Sequence, residues 1–285
     1  MFMRALLLYN TSSGRGRIWH HIADIRAIFA TAGIDIMPRE INFQRNPFEG
    51  VEDVELVVVC GGDGTVNFVV NTMKQKGLDL VLGIIPAGTA NDFAHAIGMD
   101  STILGAAHQI AHGTVRRVDC GKANDKYFVN ILSFGVLTTT SQHTSNIAKH
   151  LIGKLAYLRT GMIDLLDLHH IPLTLRYNGE EMKIDAAMFL AFNGNSAGQF
   201  KLAPKSNIED GMLDILILDY DNRVRTCWNM MNYLINRESG AVHHLRCESI
   251  ELDCNIEEHT DIDGQPGPQM PLRIECLAGE LKIKA

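Results

Sequence analysis

Residues 54 to 60, Val-Glu-Leu-Val-Val-Val-Cys, form a continuous apolar and largely β-branched run with no polar alternation. A run this short with both faces apolar is a strand buried on both sides, which is the signature of a parallel sheet covered by helices. It leads directly into Gly61-Gly62-Asp63-Gly64-Thr65, and then into Val66, Val69, Val70 and Met73 at helical spacing. The same alternation surrounds it. "RALLLYN" and "LVLGIIP" read as strands. Residues 17–32 carry Ile18, Ile22, Ile25 and Phe29 on one helical face and stop at Gly33, while Ile103, Ala106, Ala107 and Ile110 mark a helix over 102–112. Strand and helix in alternation predict an open parallel α/β unit.

Beyond about residue 115 the pattern changes to closely spaced strands, among them "LTLRYNGEEMKIDAAMFLAFN", in which Asn178-Gly179 is the turn of a hairpin. Helical periodicity returns only near 145–168 and 223–236. The expected organisation is therefore an N-terminal α/β nucleotide-binding domain over 1–120 and a mostly antiparallel β-rich domain over 121–285, whose last strand is free to return to the first domain. With 285 residues, 46% of them hydrophobic and 21% charged, the chain has ample material for these cores.

Composition removes several function classes. A net charge of −7 argues against general nucleic-acid binding, which needs a basic face. No apolar run reaches the length of a membrane span, and the N-terminal segment has too short an apolar core for a secretory signal. The six cysteines show no Cys-x-x-Cys spacing and read as reduced packing residues of a cytoplasmic protein. The adjacent histidine pairs 20-21, 169-170 and 243-244 point to opposite faces and make poor joint metal ligands. Arg15, Arg17 and the segment Lys149 to Lys154 are read as solvated charge, with anionic lipid or phosphate as the alternative.

In an open α/β sheet, ligands bind beyond the carboxyl ends of the strands. Gly61, Gly62 and Gly64 stand at such an end, where the backbone can approach a phosphate and the following helix offers free N–H groups. The sequence lacks the Gly-Lys-Ser/Thr of a P-loop, and Asn67 occupies the third-glycine position of a dinucleotide fingerprint. A carboxylate in a phosphate loop is repelled unless a divalent cation intervenes or it faces an acceptor hydroxyl, so Asp63 points to phosphoryl transfer. The next strand end repeats the design: Pro86, Gly88 and Thr89 form a turn, and Asn91 and Asp92 open a helix. Either could be a simple cap, but two such ends opening on one cleft favour a site. A rival motif, "GNSAG" at 194–198, fits the nucleophile elbow of a serine hydrolase, with Asp210 and His243 in the right chain order around Ser196. The absence of helical periodicity after Ser196 argues against it.

"GGDGTVNFVVN", "PAGTANDFA", "RRVDCG", "GQFKLAPKSNIEDGMLD" and "DIDGQPGPQMPLRI" together resemble the diacylglycerol kinase catalytic family in its bacterial soluble lipid kinase branch, related to sphingosine kinases and more distantly to NAD kinases. The resemblance implies an α/β nucleotide domain and a β-sandwich domain with ATP between them. It implies that Gly61, Gly62, Asp63, Gly64, Thr65, Val66, Asn67, Gly88, Thr89 and Asn91 hold the nucleotide, with Asn10 nearby. It further implies that Asp63, Asp92 and Asp119 form an acidic cluster organising a catalytic magnesium ion through water. A second, structural magnesium ion would sit on Asn207, Asp210 and Met212, whose hard oxygens suit it. The expected partner is a lipid substrate at the membrane surface, with a homodimer left open and no nucleic acid.

One departure stands out. The family's Asp-Gly-Glu, whose glutamate is the proposed general base, reads Asp263-Gly264-Gln265 here. Glutamine orients a hydroxyl but does not accept its proton, so the role passes to Asp63 or Asp263, or the chain is a weakly active or non-catalytic nucleotide binder.

Overall fold

A computed structural model describes residues 3–11, 14–51, 53–135, 168–198, 201–236 and 240–285. The N-terminal part sets four parallel strands side by side, in the order β4 (Val81–Pro86), β3 (Leu56–Gly61), β1 (Met3–Tyr9), β2 (Ile34–Glu40). Every residue of β3 is buried, as its unbroken apolar run demands. Helices α1 (Ile22–Thr31), α2 (Asp63–Gln75), α3 (Asp92–Ala96) and α4 (Ile103–His112) cover this sheet, and Ile25, Phe29, Val69, Val70, Phe93, Ala107 and Ile110 fill its core. Thr102 caps α4 by accepting from Gly105 N.

Two local readings need correction. The first turns of the expected 17–32 helix wind as a 3-10 helix over Gly14–His21, with α1 starting only at Ile22. The strand β2 was not anticipated, because Pro38 and three charged residues weaken its pattern; it survives as the sheet edge, where proline is tolerated. The helical periodicity near 145–168, like Lys149 and Lys154, lies outside the described residues.

The rest of the chain is strand-rich. Strands β6 (Lys126–Phe128), β7 (Ile131–Gly135), β8 (Ile171–Tyr177), β9 (Glu180–Phe192), β10 (Leu213–Asp219), β11 (Val242–Cys247), β12 (Ser249–Cys254), β13 (Thr260–Ile262) and β14 (Gln265–Pro266) pair antiparallel. Asn178 and Gly179 both take positive φ, 51° and 80°, giving the tight turn between β8 and β9 that their sequence demands. The interior is apolar, with Phe128, Phe134, Phe189, Ile215, Leu252 and Ile274 all buried. Among the described residues a single helix, α5 (Arg223–Asn236), packs outside on Leu216 and Leu218.

The two parts are joined by one strand. β15 (Leu272–Lys284) pairs antiparallel with β12 and β5 (Val115–Ala123), then runs parallel to β4 through Lys282 and Ile283. The sheet is thus continuous, and the carboxyl ends of β3 and β4 face loops of the antiparallel part.

Candidate active site

The ends of β3 and β4 touch. Ala87 N donates to Gly61 O at 2.9 Å, and a Cβ added at Gly62 would lie 3.1 Å from the Gly88 Cα. Only glycine at both positions allows this approach. The β4 turn is closed on itself, since Gly88 N donates to Asn91 Oδ1 at 2.8 Å and Asn91 Nδ2 returns a bond to Gly88 O at 3.1 Å. Asn91 holds φ of 53° and does not cap α3 with its side chain. That helix is instead served from across the cleft, because Phe93 N donates to Asp63 Oδ1 at 3.1 Å.

Asp63 is the first residue of α2 and stays partly accessible. Its pKa is raised, first by desolvation in the crowded cleft and then by the Asp92 charge, while N–H groups of Phe93, Asp63 and Asn91 pull the other way. Asp92 is buried and held by the antiparallel part: Ser196 Oγ donates to its Oδ1 at 2.8 Å and Gly198 N to its Oδ2 at 2.7 Å. The structure therefore brings Asp63 and Asp92 together at the mouth of the two turns. Gln265 is close by and exposed; a Cβ built on Gly64 would lie 2.6 Å from its Nε2. Thr89 is exposed on the β4 turn.

Asp263 is different. It sits in the left-handed region with φ of 51°, is buried, and both its oxygens are occupied. Oδ2 accepts from Asn67 Nδ2 at 2.9 Å and Val129 N at 2.7 Å, and Oδ1 from Asn130 N at 3.0 Å and Ile131 N at 2.9 Å. Burial pushes its pKa up to about 7 against those donors, which alone would nominate it as a base. Four protein N–H groups leave no approach for a substrate hydroxyl. The geometry argues against Asp263 as proton acceptor and makes it a clamp.

The α2 residues after Gly64 also turn away from the cleft. Thr65 N and Val66 N bond to Gly62 O, the Val66 side chain is in the core, and buried Asn67 donates to Tyr127 O and Asp263. The side chains of Val66 and Asn67 thus serve packing and clamping. Thr65 is buried too, and its Oγ1 accepts from Asn10 Nδ2 at 3.3 Å, which steadies the end of β1.

The metal readings divide as well. Among the described residues no group of three or more His, Cys, Asp or Glu side chains is poised to hold an ion. Asp119 is buried on β5 with its carboxylate accepting from Gly211 N and Gly279 N, both at 2.7 Å. Between it and Ser196 lie Asn193, which donates to Asp119 O, and Asn130, which donates to Ser196 O. The side-chain oxygens of Asn130 and Asn193 are buried without a hydrogen-bond partner, the kind of polar vacancy that a bound water fills. Asp63 and Asp92 are close enough for the Asp92 charge to raise the Asp63 pKa, and such a pair of hard-oxygen ligands is of the kind that suits a divalent cation. The second loop fits less well. Asn207 Oδ1 accepts from Glu209 N, Asp210 Oδ1 from Met212 N, and Asp210 Oδ2 is ion-paired with Arg246. A guanidinium stands where an ion on Asp210 would compete.

Asn130 and Asn193 carry no local signal, because their partners are far away in sequence, and Ser196 and Gly198 stand out there only within the hydrolase motif. The serine hydrolase reading is overturned: Ser196 donates to Asp92, while His243 is engaged with Asp219 and Asp210 with Arg246.

Comparison with known proteins agrees with this architecture. Residues 4–123 match the family model of the diacylglycerol kinase catalytic domain, and residues 130–285 match that of the YegS C-terminal NAD kinase beta sandwich-like domain. A Bacillus subtilis (strain 168) protein named diacylglycerol kinase is 31% identical over 277 residues, 94% of this chain and 91% of its own. A Staphylococcus aureus (strain MRSA252) protein of the same name is 28% identical, over 100% of this chain and 93% of its own. A solved structure of a proposed diacylglycerol kinase from Bacillus anthracis superimposes with a TM-score of 0.83 at 26% identity, covering 99% of this chain and 95% of that one. The chain belongs to the diacylglycerol kinase family, a family of lipid kinases. No helix among the described residues is long and apolar enough to cross a membrane.

Proposed function

We propose that this chain is an ATP- and magnesium-dependent kinase that phosphorylates a lipid hydroxyl, with diacylglycerol or a related lipid as acceptor, working from the cytoplasm at the membrane surface. The observation that carries the reading is Asp63, a carboxylate of raised pKa at the start of α2, beside two glycine turns in contact and opposite Asp92.

The start of α2 offers backbone N–H groups and a positive dipole to the nucleotide phosphates, with Gly61, Gly62, Gly64, Gly88 and Thr89 around them and Asn10 and Asn91 setting the turns. In an in-line transfer the acceptor oxygen bonds to the γ-phosphorus as the bond to the bridging β,γ-oxygen breaks, ADP departs, and the hydroxyl proton needs a base. Asp63 takes it, since the oxygens of Asp263 are sealed by N–H donors. Gln265 orients the hydroxyl through its amide. Asp92 and Asp119 would hold magnesium through water, and the ion when bound supplies charge neutralisation on the transferring group.

Labelled ATP offered with a panel of lipids in mixed micelles tests this: wild type labels a lipid and Asp63→Asn does not. Equal labelling by both refutes the role of Asp63. Gln265 favours a second reading, a nucleotide binder of weak or no activity, which no labelling across the panel would support. On the kinase reading Gln265→Glu raises turnover less than about a hundredfold, because general-base help is already present.

A further inference from the structure

We propose that Asn130 is a positioning residue for Asp92, acting through Ser196 from outside the cleft, an inference that rests on the lipid kinase reading and adds what sets that carboxylate in place. Asn130 follows β6 and is 2% exposed, so it meets neither nucleotide nor lipid itself. Its main chain is fixed on both sides. Asn130 N donates to Asp263 Oδ1, and Asn130 O accepts from Asn193 N at 2.9 Å and Gly194 N at 3.0 Å. The side chain then reaches out of this node, with Nδ2 donating to Ser196 O at 2.8 Å. The Ser196 hydroxyl in turn donates to Asp92 Oδ1.

Two features single out that amide bond. Ser196 O is an acceptor, so the amide nitrogen must face it and the amide oxygen must point elsewhere. That oxygen is buried without a hydrogen-bond partner. A buried acceptor left unpaired destabilises the fold, which an apolar side chain of similar size would not, so asparagine serves here through its nitrogen. The facing loop is shaped to receive it. A Cβ built on Gly194 would lie 2.0 Å from Asn130 Oδ1, so the loop closes on the amide with glycine at that position.

The linkage is selective for Asp92. The Asp119 carboxylate is held by Gly211 N and Gly279 N, and Asp63 accepts from Phe93 N across the turn. Asp92 instead takes Ser196 Oγ on one oxygen and Gly198 N on the other, both from the segment that Asn130 holds. Without the Asn130 amide, Ser196 O is released, residues 196–198 shift, and the Asp92 carboxylate turns from its place beside Asp63. A divalent ion then binds less tightly.

Amide hydrogen exchange on the protein without nucleotide or metal reads the linkage first: in Asn130→Ala the Gly198 N–H exchanges about tenfold faster than in wild type. Mn2+ binding in the presence of ADP, followed by electron paramagnetic resonance, weakens about tenfold, the lower end of what supporting residues around a metal contribute. In turnover, the magnesium concentration for half-maximal rate rises while KM for ATP at saturating magnesium is unchanged. Gly194→Ala leaves every Asn130 atom in place but displaces its amide; it gives the same changes, and it carries the test if Asn130→Ala does not fold. On a Ser196→Ala background either substitution lowers Mn2+ affinity by less than about twofold more, because the path to Asp92 is already cut. The proposal is overturned if Asn130→Ala lowers the urea midpoint with wild-type exchange at Gly198, or if the losses in the double variants add. Faster exchange and weaker Mn2+ binding in a protein that labels no lipid would leave the linkage standing and remove the kinase reading.

Discussion

The start of α2 and the corner between β13 and β14 each carry a carboxylate whose pKa is raised mainly by burial, and the two serve opposite ends. Asp63 takes N–H groups of Phe93, Asn91 and its own residue yet stays partly accessible at the cleft, whereas Asp263 receives four protein N–H groups and is shut in. The pKa alone does not separate them. What does is access: a carboxylate partly open at the cleft can meet a substrate proton, while one shut in by amides fixes the backbone. A carboxylate sealed by donors is architecture, and one left accessible at a helix start is available for chemistry.

The largest expected effect breaks this comparison at the chemical end. Asp63→Asn keeps an oxygen for Phe93 N and the size of the side chain, but cannot accept a proton. Turnover falls about 10²- to 10⁴-fold while stability stays nearly unchanged. Kinase rates and denaturant midpoints measured on the same preparations check both halves.

At the architectural end, Asp263→Ala removes the acceptor for four donors at once, and alanine tolerates the positive φ poorly. A loss of at least about 3 kcal/mol of unfolding free energy is expected in urea titrations, since each buried unsatisfied donor costs about 1–3 kcal/mol. Its effect on rate should follow the fraction unfolded. A stable Asp263→Ala protein with no turnover would reverse the two assignments.

Asp92 falls between these extremes, with one hydrogen bond from Ser196 and one from Gly198. Ser196→Ala removes the first and lets the carboxylate turn. Turnover should fall about tenfold, the value of roughly 1.4 kcal/mol of misplaced charge, with a higher magnesium requirement; Ser196→Thr restores most of it. Unchanged magnesium dependence in Ser196→Ala would reduce that bond to a structural contact.

This comparison also marks what the sequence could disclose. The glycine turns were legible because glycine and aspartate at a strand end obey local rules, as were the buried β3, the Asn178-Gly179 turn and α5. The partners were not. Asp92 meets Ser196 across 104 residues, Asp119 meets Gly279 across 160, and Asp263 meets Asn67 across 196. No periodicity encodes such contacts; they exist only because β15 threads back beside β4 and sets the antiparallel loops over the parallel strand ends. For the same reason Val66 and Asn67 read as ligand residues in a motif and prove to be inward-facing in the fold. The Asp263 position could have been suspected from its neighbour Gly264, since both residues take positive φ, but nothing local shows what the carboxylate holds.

The smallest effect concerns a fourth acidic position, Asp210, where a cation is already supplied by the protein. Arg246 is about half exposed and Asp210 less so, and an ion pair of this kind contributes no more than about 1 kcal/mol. Arg246→Ala should therefore change stability little in chelator. It uncovers a carboxylate beside Asn207 and the Met212 backbone, a set of hard oxygens suited to magnesium, so adding the ion should raise the melting temperature of Arg246→Ala more than that of wild type. An equal rise in both proteins would mean that magnesium displaces the guanidinium in wild type. No rise in either would mean that the loop is held by its own turns, with Asp210 belonging, like Asp263, to the architecture.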